Sequence, residues 1–292
     1  MSIQDVRAHL AKHPAPEALD AQRVQYDKAE RFFKLPPGVA VEPVRVGGLP
    51  AEWLRPAGAR ADATVLYLHG GGYAIGSAKS HRHLAAAIAK AAGARALLVD
   101  YRRAPEQPFP AAVEDAVASY RWLLAAGQAA RGVVVAGDSA GGGLAVAMLL
   151  ALRDAGTALP AAAVCISPWV DLTYSGASYQ TKAASDPMVT REGIARMAAW
   201  YLAGADPKMP LASPLYADLR GLPPLLVHVG SEEVLLDDAR QLVAQARTAG
   251  VEATLAVWPE MVHVWHWFLG MLDEAQSAVD EIGAFVKGKV GL

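Results

Sequence analysis

Apolar residues recur along this chain in two alternating rhythms. Short aliphatic or β-branched runs at 64–68, 94–99, 132–136, 162–166, 225–229 and 253–258 are separated by longer stretches in which apolar positions return every three to four residues. The runs predict strands and the stretches predict helices, an alternation that gives a mostly parallel sheet covered on both faces. Two further runs, 39–46 and 51–55, joined around Gly47-Gly48-Leu49-Pro50, predict an antiparallel hairpin at one edge, for an eight-stranded α/β sheet.

Two segments break the rhythm. Residues 1–38 read as helical and end at Leu35-Pro36-Pro37-Gly38, and an insert at 171–222, with a helical stretch at 191–202, separates two core strands. An insert of that length predicts a cap over a substrate cleft, because long structureless loops are rare in compact domains. The whole chain, 1–292, is expected to form one domain.

Composition narrows the field. The chain is 53% hydrophobic and 19% charged with a net charge of −2, so it has ample core and no basic footprint for nucleic acid or anionic membrane. The single Cys165 rules out an internal disulfide, and its apolar neighbours predict an inert core thiol. Residues 1–7 lack the apolar core of a signal peptide, and no run approaches the ~18 apolar residues of a membrane span. The cytoplasm is the expected compartment.

The chemistry lies at strand ends. Gly137-Asp138-Ser139-Ala140-Gly141 joins the run at 132–136 to an Ala/Leu/Met-rich helix stretch, and Gly-x-Ser-x-Gly in that setting is a nucleophile elbow. The tight turn lifts the serine hydroxyl off the sheet edge and leaves unpaired helix N–H groups beneath it. A second strand end carries His69-Gly70-Gly71-Gly72-Tyr73, where the glycines let the backbone approach a substrate oxygen. Gly71, Gly72 and Ala140 are assigned as oxyanion donors. A phosphate loop is excluded, since Ser77 stands where its lysine is required.

In this fold the triad runs Ser, then acid, then His. Three histidines follow Ser139. His228 sits within a strand run and reads as a core residue; His263, in the loop after the last strand, is the expected base, with His266 as the fallback. The acid belongs to the loop after 225–229. Spacing favours Glu232 or Glu233 over Asp237 and Asp238, which fall in the next helix, and does not separate the two glutamates.

With these residues in view, the chain resembles the hormone-sensitive-lipase-like bacterial esterases of the α/β-hydrolase superfamily over about residues 40–290. The likeness rests on His69-Gly70-Gly71-Gly72, Asp100-Tyr101-Arg102-Arg103-Ala104-Pro105-Glu106 with Pro108-Phe109-Pro110-Ala111-Ala112, residues 137–142, and Leu235-Leu236-Asp237-Asp238. The resemblance implies that 1–38 and 171–222 together form the cap. It implies a serine carboxylesterase for short to medium acyl chains, and it selects Glu233 as the acid, two residues before Leu235. The usual aspartate is there replaced by glutamate. Arg103 also departs from the pattern and is expected to be exposed or ion-paired. The family's frequent dimerisation implies a homodimer.

Tyr73, Met188 and Trp265 are candidate pocket residues. His81-Arg82-His83 reads as solvated, and neither a metal nor a cofactor is needed. The expected partner is a small-molecule ester. The alternatives are a lactone or acetyl-ester hydrolase for one metabolite, and a non-catalytic ligand-binding protein on the same fold.

Overall fold

The computed structural model describes residues 1–13 and 15–291. The chain opens with three short helices, α1 (Ile3–Lys12), α2 (Leu19–Asp27) and α3 (Ala29–Phe32). A hairpin follows, β1 (Val39–Val46) and β2 (Leu49–Pro56), then β3 (Arg60–Leu68), α4 (Ala78–Ala92), β4 (Ala94–Val99) and α5 (Ala111–Ala125). The central units are β5 (Val133–Asp138), α6 (Ala140–Asp154) and β6 (Ala162–Ile166). The insert carries α7 (Ser178–Thr181) and α8 (Arg191–Leu202), and the chain ends with β7 (Leu225–Gly230), α9 (Leu236–Thr248), β8 (Ala253–Trp258) and α10 (Asp273–Val290).

The eight strands form one sheet in the order β1-β2-β4-β3-β5-β6-β7-β8, antiparallel through β1, β2 and β4 and parallel beyond. Alternate residues leave the strands on opposite faces. Leu66, Leu97, Val135, Cys165 and Val227 join the core shared with α5, α6 and α9, while Val65, Ala96, Val134, Val164 and Leu226 join the core shared with α4 and α10. Burial on both faces explains the unbroken apolar runs of the parallel strands.

Strand boundaries differ from the sequence reading at three places. The β1–β2 turn is only Gly47-Gly48, at φ 56° and 93°, because a two-residue hairpin loop takes left-handed backbone; Leu49 and Pro50 therefore pair in β2. β3 begins earlier, at Arg60, across a register irregularity before Thr64. β5 runs on through Gly137 and Asp138, paired with Leu68 and Ile166, so Ser139 is the first residue off the sheet. His81 and His83, expected in solvent, are buried: Phe33 stacks on His83 at 4.6 Å between ring centroids, and Trp267 packs edge-on against both. The N-terminal helices and the turn after β8 cover the face of α4 that periodicity leaves open.

Candidate active site

Ser139 lies between β5 and α6 with φ 53° and ψ −121°, a conformation that costs on the order of 1–3 kcal/mol in a non-glycine residue and recurs where function requires it. Close packing holds it there. A Cβ on Gly137 would collide with the Gly141 carbonyl, and one on Gly141 with the Leu68 carbonyl, so both flanking glycines are needed for space. The Ser139 N–H donates to Ile166 O at 2.8 Å and its carbonyl accepts from Trp169 N at 2.9 Å.

The loop after β3 curls over the same point. Gly71 has φ 110°, and a Cβ there would enter the Ile75 carbonyl; one on Gly72 would meet the Met197 sulfur of α8. Among the described residues, none accepts a hydrogen bond from the N–H of Gly71, Gly72 or Ala140. Asp138, buried just before the serine, ties this loop to the elbow. Its Oδ1 accepts from Gly70 N (3.1 Å) and the Tyr67 hydroxyl (2.8 Å), and its Oδ2 faces His81 Nε2 at 3.2 Å. Burial works to raise its pKa, but the charge and hydrogen bond of His81 and the Tyr67 hydroxyl outweigh it, and the carboxyl sits below its ordinary value.

His263 lies in the loop after β8. Its Nδ1 is 2.8 Å from Oε2 of Glu233, a carboxylate with no solvent exposure. The other oxygen, Oε1, accepts from the Ser167 hydroxyl (2.7 Å) and Gly230 N (2.6 Å). Burial raises the Glu233 pKa above its ordinary value against these bonds. Burial acts to lower that of His263, yet the Glu233 hydrogen bond and charge, with the charges of Asp186 and Asp138, outweigh it, and the imidazole sits above its ordinary value. Glu232 bonds instead with Ser231 and Lys182, and His266 stands 3.2 Å from His228, its pKa driven well down by burial.

Ser139 and His263 line one cavity of about 310 Å³ together with Gly71 and Gly72. No hydrogen bond joins the serine hydroxyl to the imidazole among the described residues, the looser arrangement common in resting sites. Both irregular segments contribute walls, Pro16 and Tyr26 from the first and Met188, Ile194 and Met197 from the insert. Of the three pocket candidates only Met188 lines this cavity. Tyr73, at φ 61°, turns behind the wall and stacks on Tyr201 at 3.7 Å, and Trp265 joins an apolar cluster with Ile3 and Val6; Trp267 takes a place in the wall instead. Arg103, expected exposed or ion-paired, is half-buried and donates to the Gly76 carbonyl.

Ser167 escaped the sequence reading. Ser167, at φ 45°, bonds Glu233 and also accepts from Val264 N at 3.2 Å, so one hydroxyl joins the loops that carry Glu233 and His263. Val264 is itself left-handed at φ 49°, unusual for a β-branched residue. A serine at this position carries no local sequence signal. Among the described residues, no group of three or more metal-ligating side chains is assembled.

Comparison with known proteins gives the family of the chain. A family model described as alpha/beta hydrolase fold matches residues 65–267. An acetyl-hydrolase of Streptomyces hygroscopicus is 55% identical over 283 residues, spanning 96% of this chain and 93% of that protein. An esterase of Acinetobacter venetianus is 33% identical over 272 residues, spanning 93% and 88%. Among solved structures, an esterase from the bacterial hormone-sensitive lipase family superposes with a TM-score of 0.96 at 49% identity, covering 99% of this chain and 98% of that one.

Proposed function

This chain belongs to the α/β-hydrolase family as a hormone-sensitive-lipase-like carboxylesterase, and on that premise we propose that Ser139, His263 and Glu233 are the triad that cleaves its esters. The observation that carries the assignment is the Glu233–His263 hydrogen bond on the wall of the cavity that Ser139 also lines.

His263 Nε2 takes the proton of the Ser139 hydroxyl as its oxygen attacks the acyl carbon. The tetrahedral oxyanion is received by the free N–H groups of Gly71, Gly72 and Ala140, each such donor typically contributing ~3 kcal/mol to the barrier reduction. Glu233, on Nδ1, fixes the tautomer and supports the imidazolium. His263 then gives its proton to the departing alkoxide, and the acyl group remains on Ser139. Water, deprotonated by the same nitrogen, hydrolyses the acyl-enzyme and restores the serine.

A cavity of about 310 Å³ suits short to medium acyl chains better than long triglycerides. In this reading residues 1–38 and 171–222 form the cap on a single domain, since both supply cavity walls. The 55% identity to an acetyl-hydrolase favours a second reading, an acetyl ester of one metabolite as the natural substrate. A homodimer through β8, an edge strand of the sheet, completes the proposal, and a monomer mass by light scattering would remove it. Among the described residues no helix is long and apolar enough to cross a membrane, and we place the protein in the cytoplasm; recovery from a periplasmic fraction would overturn that.

Covalent labelling with a short-chain alkyl phosphonate tests the assignment. The tag is expected on the peptide containing Ser139, with slowed hydrogen exchange at 186–202. A tag on any other serine would remove the nucleophile, and unchanged exchange would remove the cap.

A further inference from the structure

A seam of hydrogen bonds joins the insert to the loop that carries Glu233. Asp186 lies in the insert between α7 and α8 and is buried. Its Oδ1 accepts from Met188 N (2.9 Å) and Val189 N (3.0 Å), folding the turn whose residues Pro187, Met188 and Val189 line the catalytic cavity. Its Oδ2 accepts from Val234 N at 3.0 Å, the amide next to Glu233. One carboxylate therefore grips the cavity wall on one side and the acid loop on the other. Neighbouring bonds strengthen the seam: Ser178 Oγ to Val234 O (2.6 Å), Ser185 Oγ to Glu232 O (3.3 Å), and Arg7 of α1 to Ser185 O (2.7 Å).

We propose that Asp186 is a positioning residue for ester hydrolysis, which aligns Glu233 and His263 with the cap and adds a second negative charge to the surroundings of the imidazolium. The proposal rests on His263 as the base. Three N–H donors satisfy the buried carboxylate, and among the described residues no cation lies within 4 Å of it, so its charge is left to act on its surroundings. The ionisable groups that act on His263 are Glu233 from the loop after β7, Asp138 from the end of β5, Asp186 from the insert and the neutral His266 from its own turn. Around Asp186 the nearby charges are Lys182 and Glu232, paired with each other at 3.4 Å, and Arg7 on the Ser185 carbonyl. A protein site supports imidazolium better when negative charge is fixed near it and shielded from water.

The test is the pH dependence of kcat/KM for a p-nitrophenyl ester, in the full chain, with Asp186→Asn and Asp186→Glu. Asp186→Asn removes the charge and one acceptor. It is expected to lower the plateau at least about tenfold and to move the acid limb toward lower pH by roughly half a unit or more. Asp186→Glu keeps the charge on a longer stem, and is expected to lower kcat while the limb stays. An unmoved limb in folded Asp186→Asn would overturn the proposal, leaving only a structural staple. Should that variant not fold, an Asp186→Glu enzyme with wild-type kcat would overturn it equally. His263→Ala, run alongside, separates the two readings: turnover retained there would sink the triad, not this residue alone.

Discussion

Oε2 of Glu233 lies 2.8 Å from Nδ1 of His263, while Oε1 is fixed by Ser167 and Gly230. Three atoms thus hold one buried carboxylate, and the imidazole is oriented by a group that cannot itself turn. Glu233→Gln keeps the shape and loses the charge, so the neutral amide no longer enforces the tautomer that leaves Nε2 free. A fall in kcat of roughly 10³–10⁴ is expected, with KM little changed, measured on a p-nitrophenyl ester. Equal activity would return the acid role to a neighbour.

The pH profile follows from the same contact. His263 must be neutral to accept the serine proton, and its negative surroundings hold its pKa above the ordinary imidazole value of about 6.5. Protonation therefore removes the base at a pH higher than for a free histidine. The acid limb of kcat/KM is expected to have its midpoint above pH ~6.5. A flat profile through that region would contradict the base assignment.

Gly71 carries both a left-handed backbone and a blocked Cβ position. Gly71→Ala must displace the Ile75 carbonyl, moving the N–H aimed at the oxyanion. The expected loss is about 10²–10³ in kcat with KM nearly unchanged, read by steady-state kinetics. A loss confined to KM would place the donor elsewhere.

Asp138 holds the elbow to the oxyanion loop from inside the core. Asp138→Ala leaves the Tyr67 hydroxyl, Gly70 N–H and His81 without their shared partner. A destabilisation of about 3–5 kcal/mol is expected, seen as a lower Tm in thermal unfolding. A variant as stable as the parent would show that the contact is dispensable.

What the sequence made legible, and what it hid, divides by range. The strands announced themselves because burial on both faces leaves continuous apolar runs, and Ser139 and the glycines of the oxyanion loop because tight turns need specific neighbours in adjacent positions. The place of His263 after the last strand was legible, and the structure sets its Nδ1 on Glu233. Glu233 was not separable from Glu232 by spacing; the structure separates them, turning Glu233 inward to His263 and Glu232 outward to Lys182. Ser167 reaches Glu233 across 66 residues and Asp186 reaches Val234 across 48, so no local pattern marks either contact. His81 and His83 misled for the same reason. Their cover, Phe33 and Trp267, comes from distant chain. Tyr73 and Trp265 were read from proximity in sequence, which left-handed backbone at Tyr73 and Val264 redirects.

The most direct test of the account is hydrolysis of p-nitrophenyl esters over increasing acyl length, by the wild-type protein and by Ser139→Ala. Turnover is expected to be greatest for short acyl chains and to be lost in the variant while its fold is retained. Undiminished turnover by Ser139→Ala would contradict it.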